Sequence, residues 1–220
     1  MTRLIKTLIW PVLLAPAAYL FLIWNKIPDI VPMHYNLAGE PDRYGNKSEL
    51  FLVLGIMIVV SVGLYLLLTN IHRIDPKKKY SSENLPRMRS LAFAICIFLS
   101  ALSCFIIYNT MHQGAGFNSK FIIAGVGLLF VVIGNYMYNI KPNYFAGIRL
   151  PWTLENEDNW KQTHLLAGKI WFAGGLLIAL LGLFAPQKIM FIVMMCIIAV
   201  MVIIPVVYSY RFYKQHQSEK

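Results

Sequence analysis

"IMFIVMMCIIAVMVIIPVVYSY", residues Ile189 to Tyr210, contains no Asp, Glu, Lys, Arg or His. At about 1.5 Å per residue a helix of this run is about 33 Å long, enough for about 30 Å of hydrocarbon. A soluble helix of this length carries a polar face, and this run has none. Five more apolar runs lie upstream: Leu4–Trp24, Leu50–Leu68, Leu91–Tyr108, Phe121–Ile140 and Ile170–Ala185. The run at Ile170 is short, and it lengthens if Leu165–Gly168 join it and Lys169 snorkels to the interface. Hydrophobic residues make up 58% of the 220-residue chain and charged residues 14%, against about 25% charged in a soluble domain. The expected fold is an all-α integral membrane protein, a bundle of six transmembrane helices.

Residues 1–69 then hold the first two helices and a 25–49 loop. Residues 70–140 hold a basic loop and helices three and four, and 141–220 hold a polar segment at 143–169, helices five and six and a basic tail. The first run has the Arg3 and Lys6 flank of a signal peptide and a small-x-small triple at Ala15–Ala17. It stays apolar as far as Trp24, so it reads as a retained helix. With the N-terminus in the cytoplasm, fifteen of the 20 Lys and Arg fall in inside segments and five outside. That bias predicts both termini in the cytoplasm. It also accounts for the +10 net charge without nucleic acid, with anionic lipid near Lys77–Lys79 as a further partner.

Phe51–Thr69, Leu91–Asn109, Phe121–Ile140 and Ile189–Tyr210 lack any ionisable Asp, Glu, Lys, Arg or His. Ion-coupled transporters place such groups near the midplane, so a small secondary transporter or exporter is the alternative rather than the main reading. Asn135 is the most polar side chain at depth and is expected to bond a neighbouring helix or its own. Cys96, Cys104 and Cys196 lie at membrane depth without a CxxC, so no disulfide or zinc site is expected. No catalytic set, metal or cofactor is expected either. Gly168, Gly175 and Gly182 form a stripe that suits packing within the bundle, with a homodimer seam as the alternative. Pro11, Pro16 and Pro205 are expected to kink or end their helices.

Two polar segments carry the recognition chemistry. The loop Asn25–Glu49, assigned to the outside, has three prolines and enough apolar residues to pack on the bundle, from Ile27 to Tyr44. "MHYNL" alternates and reads as a short strand. Asp29, His34, Glu40 and Asp42 include zinc-compatible donors at no diagnostic spacing. The default reading of His34 is a surface histidine bonded to a nearby carboxylate, with contact of His34 and Asp42 with a ligand on the outer face as the alternative.

The inner segment runs from Asn143 to Lys169. Pro151 pushes Leu150 extended, and "PWT" opens a helix with Thr153 as N-cap and acidic residues in its first turns. Glu157 and Lys161 are spaced for an i,i+4 pair. Trp160, His164, Ala167 and Trp171 share one face, which predicts an amphipathic interfacial helix anchored by Trp152 and Trp160. Arg149 is expected to meet an acidic residue or lipid phosphate. The segment is either an interfacial connector or a docking surface for a cytoplasmic partner.

Gly147, Ile148, Arg149, Pro151, Trp152, Thr153 and Leu154, then Trp160, Thr163, His164, Ala167 and Gly168, resemble the C-terminal signature of the SdpI-like immunity protein family. Leu150 stands where Thr or Ser is common. Pro28, Asp29, Pro32, His34, Gly39, Asp42 and Lys47 resemble the N-terminal domain often found in that family. The resemblance implies a bacterial plasma-membrane protein that protects its cell from a secreted antibacterial peptide toxin. It also implies a receptor role in which a cytoplasmic transcriptional repressor is held at the inner face. On that basis Asp29, His34, Gly39, Asp42 and Lys47 are the expected ligand-binding residues. Arg149, Pro151, Trp152, Thr153, Trp160 and His164 are the expected docking residues.

Overall fold

A computed structural model of the chain describes residues 2–36, 40–112 and 120–217. Helix α1 (Thr2–Ile23) passes through a 3-10 turn at Trp24–Lys26 into strand β1 (Ile30–Tyr35) and strand β2 (Pro41–Asn46). Then come α2 (Glu49–Ile74), a 3-10 turn at Lys78–Tyr80, α3 (Ser81–Met111), α4 (Lys120–Met137), the single-turn α5 (Pro151–Glu155), α6 (Glu157–Phe184) and α7 (Gln187–Gln217). Six of them, α1, α2, α3, α4, α6 and α7, are long and apolar enough to cross a membrane. The helices run past the apolar runs that announce them. α3 begins ten residues before Leu91, and α6 begins at Glu157 and so supplies the length that the fifth run lacked.

The helices pack as two groups of three. α3 packs on α1 and α2, α6 packs on α4 and α7, and α3 against α4 is the main helix pair between the groups. The α4–α6 seam is close because it is built from small residues. A Cβ on Gly134 would sit 2.5 Å from the backbone nitrogen of Phe172, and one on Gly175 2.6 Å from that of Val131. Backbones at this distance gain dispersion contacts that larger residues would prevent. The stripe of Gly168, Gly175 and Gly182 is therefore occupied by α4. This corrects the homodimer alternative for that stripe, since no second copy can lie there.

The prolines end no helix. Pro11 and Pro16 lie inside α1, and Pro205 lies inside α7. A proline leaves the carbonyl four residues earlier without its helical donor, and hydrocarbon offers no water to replace it. Pro16 frees the carbonyl of Val12, which accepts from the Ser100 hydroxyl of α3 at 2.7 Å. Pro205 frees that of Met201, which accepts from Trp171 Nε1 of α6 at 2.9 Å. These two breaches are thus each filled by a polar group from the adjacent helix. Asn135, expected to make such a bond, instead lies exposed on α4 with no hydrogen-bond partner among the described residues.

The segment between α1 and α2 is an antiparallel hairpin, with Ile30 opposite Asn46, Val31 opposite Gly45 and Tyr35 opposite Pro41. Of the expected strand at "MHYNL", Met33–Tyr35 fall in β1, Asn36 lies past its end and Leu37 lies outside the described residues. The second strand carries little signal in the sequence, because Pro41, Asp42, Gly45 and Asn46 have low strand propensity. Ile27 and Val31 anchor the hairpin in a cluster with Leu20, Leu50, Leu54 and Ile107. All of these helical partners belong to α1, α2 and α3.

Candidate functional site

The two polar segments lie at opposite ends of the bundle. At the hairpin end the chain brings the expected residues together in pairs. His34 Nδ1 and Asp42 Oδ1 are 2.6 Å apart, on side chains 67% and 44% exposed. Lys47 Nζ lies 2.9 Å from Asp29 Oδ1, 3.5 Å from the Ile27 carbonyl and 5.1 Å from the centre of the Trp24 ring. Lys47 is the more enclosed cation and closes the base of the hairpin, whereas His34 and Asp42 face outward from the strands. Gly39 lies outside the described residues. Glu40, considered as a donor beside His34, is held by Asn36, whose side chain both donates to it and accepts from its backbone. Among the described residues no group of three His, Cys, Asp or Glu is placed to hold a metal ion.

At the other end residues 139–164 fold into a web of buried polar groups. Asn143 is 1% exposed. Its side-chain oxygen accepts from the backbone N–H groups of Phe145 and Ala146 at 2.9 and 2.7 Å, and its amide donates to the Lys141 and Ala146 carbonyls. The turn it organises leads to Gly147, whose φ of +104° suits glycine. A Cβ there would lie 2.3 Å from His164 Nε2. The absent side chain lets the imidazole reach the Ile148 N–H, which donates to Nε2 at 2.9 Å. Nδ1 of the same ring lies 2.8 Å from the Trp160 carbonyl. With Nε2 accepting, Nδ1 carries the proton, and His164 is neutral with both nitrogens used.

Several expectations for this segment need correction. Thr153 is not the N-cap. The helix starts at Pro151, and Thr153 reaches back so that its hydroxyl oxygen accepts from the Leu150 N–H at 2.9 Å. Nor is the helix continuous. Asn156 is extended, ends α5, and caps α6 by accepting from the Asn159 N–H at 2.8 Å. Glu157 is paired with Lys79 at 2.8 Å and with the Tyr80 hydroxyl at 2.5 Å, not with Lys161. Trp160 is not an interfacial anchor. It is 1% exposed, donates Nε1 to the Ile140 carbonyl at 2.9 Å and stacks on His164 with ring centres 4.0 Å apart. Trp152 donates to Ser209 Oγ at 3.0 Å and packs beside Tyr210 and Tyr213 of α7. Arg149 donates to the Tyr144 carbonyl at 2.6 Å rather than to an acid.

Burial therefore divides the expected docking residues. Thr153, Trp160 and His164 are at most 1% exposed and cannot touch a partner in this conformation. Arg149 and Pro151 are exposed and Trp152 is half-buried.

The α2–α3 connection laces the web to the first helix group. Asn84 of α3 exchanges two bonds with the Lys141 backbone, at 3.1 and 3.0 Å. Asp75 accepts from the Tyr144 N–H at 3.3 Å, and Lys77 donates to the Leu154 carbonyl. On the α7 side Asn159 donates to the Ser209 carbonyl at 3.0 Å and accepts from Thr163. Sequence reasoning missed Asn84, Asp75, Asn159 and Ser209. Their partners lie 50 to 69 residues away, so no local spacing marks them. Asn143 had a signal, being an Asn ahead of a glycine turn.

Six apolar helices, a small hairpin at one end and a buried hydrogen-bonded web at the other define a multi-pass helical membrane protein. Residues 139–209 match the model of the SdpI/YfhL protein family, and residues 12–58 match a domain of unknown function, DUF1648. The chain is 25% identical over 196 residues to Immunity protein SdpI of Bacillus subtilis, covering 88% of each. It is 34% identical over 53 residues to an uncharacterized protein of Archaeoglobus fulgidus, covering 24% of this chain and 28% of that one. No solved structure matches. Residues 139–209 are thus similar to the SdpI/YfhL family, and the chain is a multi-pass protein of the bacterial plasma membrane.

Proposed function

We propose that this protein is a membrane immunity protein that protects its cell from a secreted antibacterial peptide. In this reading the hairpin faces outward and meets the peptide, and the web faces the cytoplasm. Support comes from the similarity to Immunity protein SdpI over most of both chains. The observation that carries the ligand-facing part is the exposed His34–Asp42 pair on a hairpin anchored by a buried cluster. A flexible segment would lose conformational entropy on binding, and here β1 and β2 are already paired and anchored on the bundle. The Lys and Arg bias supports the orientation.

At the inner end a receptor role would use the exposed surface of Arg149 and Pro151 with the edge of Trp152, which would hold a cytoplasmic repressor. Thr153, Trp160 and His164 set that surface from behind.

The test is survival against the peptide at matched protein level. Removing a hydrogen-bonded or ionic contact costs about 1–3 kcal/mol, or roughly 5- to 150-fold in affinity. His34→Ala and Asp42→Ala are each expected to raise sensitivity, while Lys26→Ala leaves it unchanged. Full protection by both variants would remove the hairpin from the mechanism. Arg149→Ala is expected to leave a fluorescent repressor in the cytoplasm while protection persists.

A further inference from the structure

A cleft of about 440 Å³ opens beside the web, between the start of α3, the end of α4 and the start of α6. Its lining includes the cations Arg87, Lys141 and Lys161 and the carboxylates Glu157 and Asp158. The charges are not equivalent. Glu157 is already held by Lys79 at 2.8 Å and by the Tyr80 hydroxyl. Lys141 is only loosely engaged, 4.0 Å from Glu83. Arg87 gives one donor to the Glu83 carbonyl at 3.0 Å, and its other donors have no hydrogen-bond partner among the described residues. Lys161 has no ion pair or hydrogen bond there either. The cleft thus keeps an excess of uncommitted cationic donors.

Its position says what kind of anion suits them. Arg87 stands one turn before the apolar run that begins at Leu91, and Lys161 one turn before Leu165. Both cations are therefore at the depth where hydrocarbon gives way to headgroups. Tyr138 in the lining is 49% exposed, as expected at that level. Lys161, Leu165, Phe172 and Leu176 share one face of α6. Phe172 and Leu176 are 46% and 43% exposed, so that face continues from the cleft as bare apolar surface. A cationic pocket that runs into an apolar track matches a molecule with both parts.

We propose that this cleft holds the phosphate of an anionic bilayer phospholipid between Arg87 and Lys161, with an acyl chain along the Leu165–Phe172–Leu176 face of α6. The bound headgroup would sit beside Tyr138 and Lys141, and would bridge the two helix groups at the end where the web joins them. The site is separate from the exposed Arg149 and Pro151, and it does not depend on the immunity reading.

The test uses the full chain reconstituted in vesicles of phosphatidylglycerol and phosphatidylcholine, extracted in mild detergent and weighed by native mass spectrometry. The unaltered protein is expected to retain phosphatidylglycerol. The doubly substituted Arg87→Ala, Lys161→Ala protein is expected to bind it about 30-fold more weakly, at about 1 kcal/mol per basic side chain. Lys161→Gln alone removes a side chain with no hydrogen bond or ion pair among the described residues and is expected to give a smaller loss, with Lys161→Arg restoring retention. Unchanged elution and circular dichroism show that the variants remain folded. Equal retention of phosphatidylglycerol by the double variant would overturn the proposal. So would equal retention of phosphatidylcholine, or displacement of the lipid by millimolar inorganic phosphate, which would mark a site for a free anion.

Discussion

His164 shows why one side chain can be read correctly for its face and wrongly for its surroundings. The spacing of Trp160, His164, Ala167 and Trp171 does mark one face of a helix. Periodicity reports that a face meets something apolar, not whether that is lipid or protein. Here it meets the irregular segment 139–150, and Trp160 and His164 are buried under it. The buried contacts predict separable phenotypes. Trp160→Ala is expected to cost about 3–5 kcal/mol and to lower folded yield, while Arg149→Ala, on an exposed side chain, leaves the melting temperature nearly unchanged. Thermal unfolding in detergent compares them, and equal loss in both would contradict the assignment. Gly147→Ala meets both a left-handed backbone and His164 Nε2 at 2.3 Å. It is expected to destabilise by about 2–5 kcal/mol. Gly55→Ala in α2, with nothing within 4 Å of the added methyl, is expected to stay within about 1 kcal/mol. A melting-temperature drop confined to Gly147→Ala is the outcome that fits.

Helices were the legible elements, because six apolar runs with a single charge among them, Lys6, have one physical solution in a membrane. The hairpin was half legible. β1 shows alternation, but β2 is a strand only because β1 pairs with it. The fate of the prolines was illegible in a different way. Pro16 is visible in the sequence as a missing donor, but its compensation by Ser100 depends on helix packing. That compensation makes a double-mutant cycle decisive. Ser100→Ala strands the Val12 carbonyl and is expected to cost about 0.6 kcal/mol, at most about 1.7. With Pro16→Ala the residue 16 N–H regains that carbonyl, so Ser100→Ala should then cost close to nothing. Additive losses would show that the hydroxyl and the proline act independently. Trp171 and Pro205 pose the same question in α6 and α7.

For the whole molecule, the sequence indicated how many times the chain crosses, but not how the crossings group. Grouping depends on which glycines meet, and the Gly134–Gly168 approach is a fact of packing between residues far apart in the chain. The sidedness rests on charge and can be tested with single cysteines in a background free of the three native ones. A cysteine at exposed Arg43 is expected to label in intact cells, and one at exposed Lys78 only after permeabilisation. Labelling at Lys78 in intact cells would invert the orientation. Asp75, though in the same connection, is 2% exposed and would report burial instead. The grouping also bears on how such a chain is assembled. The matched segment 12–58 lies wholly in α1, the hairpin and α2, and the matched segment 139–209 lies wholly beyond α4. Each falls within one three-helix group with its own apolar cluster. A gene divided between His112 and Lys120 would therefore yield two polypeptides with three crossings each. They would recognise one another through α3 on α4 and through Asn84, Asp75 and Lys77. The single chain can be viewed as two three-helix units in tandem, held together by contacts that do not require a peptide bond between them.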